Sequence, residues 1–440
     1  MIRRVPYPKF GTGIGLHRVA GIAERLHIDL AAFGANAAVI TGSNGKGSTA
    51  AMLSSILAET GESVGRFTSP HLLALNERFA LDGEDISDQD LGEHWARVDE
   101  AARAWLATRD EQLGGFEFLF VVAASWFAAR QPHYTVWEAG IGGRYDPTRL
   151  IQPRRTALVS LDLEHTALLG DTLEQIAFDK LDAAPEGAIA FCGETAVPLR
   201  ERIEAYCKLR GVTAQFVAQP TLSLAERVAR DSAPGEGRSN MQAPDVLARP
   251  SPPTPSELPL AGLHQQNNAA LALALARDMA DINEVQIATG LAQTRWPGRL
   301  EILSTSPLVV IDVGHTPAAI ISSLDGFAQL AGERARVLVC GASHDKAAAE
   351  MIALLAPAFP RIVCTAARHK GAPPAEIARA AAAANPDAEL IIADDVAEAS
   401  KIAHTRAQSE GAVYVAGGLF LAAEFKAVDL GLDPAALVFF

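Results

Sequence analysis

At 440 residues the chain is longer than one ordinary domain, so two or three domains are expected. Its composition, 49% hydrophobic and 20% charged, is that of a globular protein with a large aliphatic core. A net charge of −14 argues against nucleic acid or an anionic membrane surface as a bulk partner.

The basic start, Met1 to Pro6, lacks the apolar stretch of a secretory signal. The longest apolar run, Phe118 to Ala129, is too short to span a bilayer and reads as a buried helix. Cys192, Cys207, Cys340 and Cys364 show no C-x-x-C pairing and read as reduced core residues. A cytoplasmic protein is expected.

Apolar positions at helical spacing over residues 14–33 predict a helix before the first strand. Val39-Ile40-Thr41 then enters the loop Gly42-Ser43-Asn44-Gly45-Lys46-Gly47-Ser48-Thr49, and a helix-forming segment follows from Ala50 to Glu59. Strand, glycine turn and helix form a phosphate cradle. The glycines let backbone N–H groups turn inward, Lys46 adds a point charge, and Ser48 can ligate Mg²⁺. The spacing is G-x-x-G-K-G-S, shorter than the usual G-x-x-x-x-G-K-[ST].

A strand over Glu62 to Phe67 delivers Thr68-Ser69-Pro70-His71-Leu72 and Asn76-Glu77-Arg78, polar groups at a strand's C-terminal end, where open α/β sheets place ligands. Helices are predicted over Asp88 to Ala107 and Phe116 to Gln131. A strand over His133 to Trp137 ends in Glu138, followed by glycines, which suits a metal ligand beside phosphates. A strand over Thr156 to Leu161 delivers His165, and the capped helix after Gly170 carries Lys180 near its C-terminus. Ala188 to Cys192 and Val212 to Val217 read as later strands, with a helix over Pro198 to Leu209 between them.

Residues 220–259 hold eight of the chain's 25 prolines and little apolar periodicity, so they read as a long irregular excursion. Order is expected to resume at Leu260, with His264, Gln265 and Asn268 opening an Ala- and Leu-rich helix. After Trp296-Pro297-Gly298, strands over 308–313, 336–340, 361–365, 389–393 and 412–415 alternate with helices, predicting a second parallel sheet. Its strand ends carry Asp312 to Pro317, Gly341 to Lys346, and Gly417-Gly418. The fold class is therefore α/β: a P-loop ATPase domain with a parallel-rich sheet over 1–297, and a smaller Rossmann-like domain over 298–440.

Taken together, these motifs resemble the folylpolyglutamate synthase/dihydrofolate synthase branch of the Mur ligase family. The loop Gly42 to Ser48 is similar to G-T-N-G-K-G-S, with Ser43 in place of Thr. Thr68 to Leu72 and Asn76 to Arg78 match T-S-P-H-L…N-E-R, and Phe116 to Phe118 match F-E-F. Glu138 to Arg144 match E-x-G-x-G-G-R, and His264 to Ala270 match H-Q-x-x-N-A-A. Trp296 to Glu301 spell W-P-G-R-L-E. The resemblance implies that a carboxylate attacks the γ-phosphate of ATP, and that an amine then displaces phosphate from the acyl phosphate. It implies ATP on Gly42, Asn44, Gly45, Lys46, Gly47, Ser48 and Thr49, with Asn268, Arg299 and Asp312 also on the nucleotide. Two Mg²⁺ sites are implied, one using Ser48, Ser69 and Glu138, the other Glu138, His165 and an N-carboxylated Lys180. Lys46, His165, Lys180 and His315 are the expected catalytic groups. The implied substrates are a pteroate or folate, L-glutamate and ATP, acting on a monomer.

The pattern departs from the family in three places. E-K-A-G-I is Asp179-Lys180-Leu181-Asp182-Ala183, where Asp182 is expected to favour an ammonium on Lys180. D-G-A-H-N-P is Asp312-Val313-Gly314-His315-Thr316-Pro317, and the usual T-G-S is Ala416-Gly417-Gly418. Two other readings therefore stay open: a ligase for a different acid and amine, and a nucleotide-binding subunit without turnover.

Overall fold

A computed structural model describes residues 5–217, 263–344 and 348–439. The expected irregular stretch 220–259, the restart at Leu260 to Gly262, and Asp345-Lys346 lie outside the described residues. Two sheets organise the chain. The first contains eight strands: β1 (Ala37–Thr41), β2 (Val64–Phe67), β3 (Phe79–Leu81), β4 (Glu84–Asp85), β5 (Tyr134–Glu138), β6 (Arg155–Leu158), β7 (Ile189–Cys192) and β8 (Thr213–Phe216). Their order is β4-β3-β2-β5-β1-β6-β7-β8.

β1 lies between β5 and β6, parallel to both, and all five of its residues are buried. Its alternation feeds two cores. Ala38 and Ile40 pack under the helix Lys46–Ala58 and the helices Leu263–Met279 and Glu284–Gln293. Ala37 and Val39 pack under helices Leu16–Arg25, Asp88–Leu106 and Gly115–Arg130. Burial on both faces is why β1 reads as a short apolar run without polar alternation. Because its neighbours β5 and β6 continue the sheet in opposite directions, the C-terminal end of β1 opens a crevice.

The second sheet contains β9 (Glu301–Thr305), β10 (Leu308–Ile311), β11 (Arg336–Cys340), β12 (Arg361–Cys364), β13 (Glu389–Ile392) and β14 (Ala412–Ala416), in the order β13-β12-β11-β14-β10-β9. It is parallel except for the edge pair β9–β10. The sequence reading missed β3, β4 and β9. All three are paired antiparallel and short or half-exposed: β3 and β4 have three and two residues, and β9 lies at the edge of the second sheet, so none shows the longer apolar run that marks the central strands. The expected helix over 14–33 is also shorter. It ends at Arg25, His27 takes φ +57°, and a 3₁₀ turn runs from Leu30 to Asn36.

All four cysteines are free and buried, and no described helix is long and apolar enough to cross a membrane. The two sheets meet through the loop after β2. Leu72 and Leu73 pack into the core formed by Val309, Ile311, Val313 and Phe425 of the second sheet and its helices. Leu72 is 4% exposed there. Leu72→Ala should therefore lower stability by about 2–5 kcal/mol, the usual cost of an aliphatic cavity, in urea unfolding. A loss below about 1 kcal/mol would show that this contact does not join the two sheets.

Candidate active site

The loop after β1 is strapped to the turn after β6. Ser43 N donates to Ser160 O at 2.9 Å, and Asn44 N donates to Ser160 Oγ at 2.8 Å. Ser160 Oγ returns a bond to Asn44 O at 2.9 Å, and Asp162 N donates to Ser43 Oγ at 3.0 Å. Gly45 takes φ +83°, and a Cβ there would lie 2.4 Å from Asn268 Oδ1. Asn268 therefore closes one side of the loop, held by its Nδ2 donating to Gln265 Oε1 at 2.9 Å. Trp296 closes the other, since a Cβ on Gly47 would lie 2.3 Å from its ring. Lys46 Nζ lies over the loop, donating to Gly42 O at 2.8 Å and to Ser43 O at 3.2 Å. Ser48 and Thr49 form the first turn of the helix and are buried.

Glu138 ends β5 beside this loop. It is 3% exposed, and its Oε2 accepts the Ser69 N–H at 2.9 Å. Burial raises its pKa, and the charges of Lys46, Arg299 and Arg78, with the Ser69 amide, oppose that rise. Three cations from three segments thus converge on one carboxylate.

Lys180 lies on the same side, close enough for its charge and that of Lys46 to interact. It is 2% exposed, and its Nζ donates to Glu164 Oε1 at 2.9 Å. Burial and then Lys46 lower its pKa, against the pull of Glu164. Burial alone would raise Glu164, but Lys180 and Lys46 outweigh it, so its carboxyl sits below the usual range. Asp182, expected to hold Lys180 as an ammonium, faces elsewhere: it accepts from Arg144 Nε at 2.5 Å and Tyr206 Oη at 2.7 Å, and pairs with Arg210 at 2.8 Å. Glu164 is the carboxylate that fills that role. Its signal in the sequence was an acid beside His165 at a strand end.

His165 caps the short helix Thr166–Leu169 from a left-handed conformation, φ +47°, and is exposed. Among the described residues, no group of three His, Cys, Asp or Glu side chains is arranged to hold a metal. The oxygen set of Glu138, Ser48 and Ser69 does suit a hard cation that also takes phosphate oxygens, because Mg²⁺ needs only one or two protein carboxylates. The set Glu138, His165 and Lys180 fits less well while the Lys180 amine pairs with Glu164.

From the second sheet's side, Arg299 extends its charge to Glu138, Asp312 and His264. Asp312, at the end of β10, is 4% exposed and accepts from Gly314 N at 2.8 Å and Leu300 N at 3.1 Å. Burial raises its pKa against Arg299. Burial, then Arg299, pushes His264 down to about 4. His315 is exposed beside Gly418, with Nδ1 3.3 Å from Val313 O.

The Ser69 loop is itself braced. Glu77 accepts the N–H groups of Leu72, Leu73 and Ala74 at 2.6, 2.8 and 2.7 Å. Arg78 Nε donates to His71 Nδ1 at 2.9 Å, so the other ring nitrogen, Nε2, donates to Val438 O at 2.8 Å.

The glycine loop, Glu138 and Arg299 of the second unit thus bring together cations and a buried carboxylate from both α/β units. The family described as "Mur ligase, glutamate ligase domain" matches residues 298–419. The chain is 33% identical over 397 residues to a Haloferax volcanii protein named "Probable bifunctional folylpolyglutamate synthase/dihydropteroate synthase", covering 88% of this chain and 45% of that relative. It thus spans about half that relative's length. To the folylpolyglutamate synthase of Lacticaseibacillus casei it is 33% identical over 331 residues, covering 73% of this chain and 74% of the relative. The E. coli FolC structure with DHPP and ADP superposes with a TM-score of 0.76 at 27% identity, over 96% of this chain and 94% of that one. A bifunctional folylpolyglutamate synthase/dihydrofolate synthase solved with Mn, AMPPNP and L-glutamate gives 0.75 at 26% identity, over 96% and 95%. The chain belongs to the folylpolyglutamate synthase/dihydrofolate synthase branch of the Mur ligase family.

Burial, then Arg78, pushes the His71 pKa from 6.5 to about 3. The folded chain therefore keeps His71 neutral while the unfolded chain protonates it below 6.5. Stability from this group is fully present above that pH and falls by about 1.4 kcal/mol per pH unit towards 3. His71→Asn should lose less stability between pH 7 and about 4.5 than the parent does in urea titrations. Equal losses would exclude His71 as an acid-sensitive group.

Proposed function

We propose that the chain joins L-glutamate to the carboxyl group of a pteroate or folate at the expense of ATP. The observation that carries this reading is the convergence on Glu138 of Lys46 from the loop, Arg78 from the first sheet's edge and Arg299 from the second unit. Such a cluster favours a polyphosphate and one hard cation. Gly42, Asn44, Gly45, Gly47 and Thr49 would shape the loop around the phosphates, with Asn268, Arg299 and Asp312 on the nucleotide. Mg²⁺, when bound by Ser48, Ser69 and Glu138, supplies charge neutralisation at the phosphates.

The acid's carboxylate oxygen forms a bond to the γ-phosphorus as the bond to the β,γ-bridging oxygen breaks, and ADP leaves with that electron pair. The glutamate amine then forms a C–N bond at the acyl carbon. The C–O bond breaks, phosphate leaves, and the amine gives up its proton. Lys46 would orient the phosphates for the first step, and His315, exposed beside Gly418, would serve the amine step from the second unit. Positioning and fixed charge are what this chemistry asks of the protein.

Phosphate release from ATP should require both a dihydropteroate or folate and glutamate. Lys46→Ala should lower that rate by about 100-fold or more. Full activity in Lys46→Ala would remove the loop from the mechanism. A second reading, a ligase for another acid and amine, is favoured by Val313, Thr316 and Gly418 in the second unit. Release of phosphate on a different acid–amine pair, with none on pteroate and glutamate, would select it. Tight ATP binding without turnover on any acid would select the non-catalytic reading.

Lys180 N-carboxylated, with His165 and Glu138, would hold the second Mg²⁺. The buried setting of Lys180 supports this, provided Glu164 moves off the amine on carboxylation. Bicarbonate should then raise turnover and add a CO₂-derived carbon signal to Lys180 in ¹³C NMR. An unmodified amine at full activity would refute it.

A further inference from the structure

Arg66 is the one charged residue in β2, between Gly65 and Phe67. The register pairs it with Val136 on β5, and Phe67 with Trp137. Side chains alternate along a strand, so Arg66, Val136 and Glu138 share a face. That face is covered by helix Lys46–Ala58: Val64 and Val136 pack with its Ile56 and Leu57, whereas Phe67 and Trp137 pack on the opposite side. Arg66 therefore lies on the side of the sheet that carries Lys46 and the phosphate loop.

Its guanidinium carbon sits 5.4 Å from the centroid of Trp296, the ring that covers Gly47. Its Nε is buried without a hydrogen-bond partner, and among the described residues no carboxylate forms an ion pair with it. The opposite charges that reach it from farther off are Asp85 and Glu138. A half-buried guanidinium without a counter-ion is costly, and the fold retains it beside a phosphate loop. A planar fork of N–H donors matches phosphoryl oxygens, and a cation–π contact with an indole keeps the guanidinium near the ring.

Building on the ATP-dependent reading above, we propose that Arg66 donates hydrogen bonds to the equatorial oxygens of the phosphoryl group as it passes from ATP to the substrate carboxylate. Trp296 holds the guanidinium in place. Arg66 stays protonated throughout: the new O–P bond forms, the bond to the β,γ-bridging oxygen breaks, and ADP carries off the electron pair. Midway through transfer the three equatorial oxygens flatten into one plane with the charge spread over them, a geometry a planar fork of donors fits better than the tetrahedral ground state, so the contact acts mainly on the transition state.

The binding half of the test needs no acid substrate. Calorimetry would compare binding of Mg–ADP with binding of Mg–ADP plus aluminium fluoride, a mimic of the phosphoryl group in transfer, for the wild type, Arg66→Gln and Arg66→Lys. The expected result is wild-type binding at least about tenfold tighter with fluoride, a gain lost in Arg66→Gln and partly restored in Arg66→Lys. Affinity for ADP alone should stay within about threefold in all three. In phosphate release, Arg66→Gln should lower kcat by about 100-fold or more, with the KM for ATP within about threefold. A fluoride gain that is absent in the wild type or equal in Arg66→Gln overturns the inference. So does an equal loss of ADP affinity in both measurements, which would mark Arg66 as a strap for Trp296. Failure of the wild type to bind ADP at all would overturn the nucleotide reading, and this inference with it.

Discussion

The buried carboxylate of Glu138 is the group on which the rest of the site depends. A carboxylate at 3% exposure is costly unless donors and cations surround it. Here the compensation comes from several parts of the chain: the Ser69 amide after β2, Lys46 after β1, Arg78 at the sheet edge and Arg299 after the linker. Each of these groups is placed by a different backbone segment, so the charges that oppose the burial of Glu138 come from the first sheet, its edge and the second unit together. The same arrangement leaves an excess of positive charge that a polyphosphate would neutralise.

Lys180 shows how one buried amine is handled next to that excess. Burial and the nearby Lys46 lower its pKa, and the single carboxylate of Glu164 answers both cations. Asp182, two residues on in sequence, is fully engaged by Arg144, Tyr206 and Arg210, and so anchors the helix Leu173–Leu181 to the helix Arg200–Leu209. The acid nearest Lys180 in sequence thus does unrelated work, while Glu164, from the loop before the helix Thr166–Leu169, meets the amine.

The union of the two units rests on a few side chains with both apolar and polar duties. Leu72 fills the second unit's core, while its neighbour His71 joins Arg78 to the backbone of Val438 and stacks on Phe439 at 5.9 Å. Trp296 lies against Gly47 and Arg66 at once. Ser69, two residues before His71, carries the amide that meets Glu138.

Alternating apolar runs and helical segments revealed the central parallel strands; the glycine loop, Glu138 and His165 stood out at strand ends, and Lys180 through the family resemblance. Those are local signals: period, caps and turn residues act over a few positions. β3, β4 and β9 escaped because two are only two or three residues long and the third is a half-exposed edge strand, so only their antiparallel pairing marks them. Sequence by itself therefore determined the α/β class, the phosphate loop and the strand ends that carry polar groups. Only the tertiary structure decided that Glu164, not Asp182, meets Lys180, and that Arg66 shares a face with Glu138. Both follow from strand register and helix packing, which bring together residues that no short stretch of chain relates.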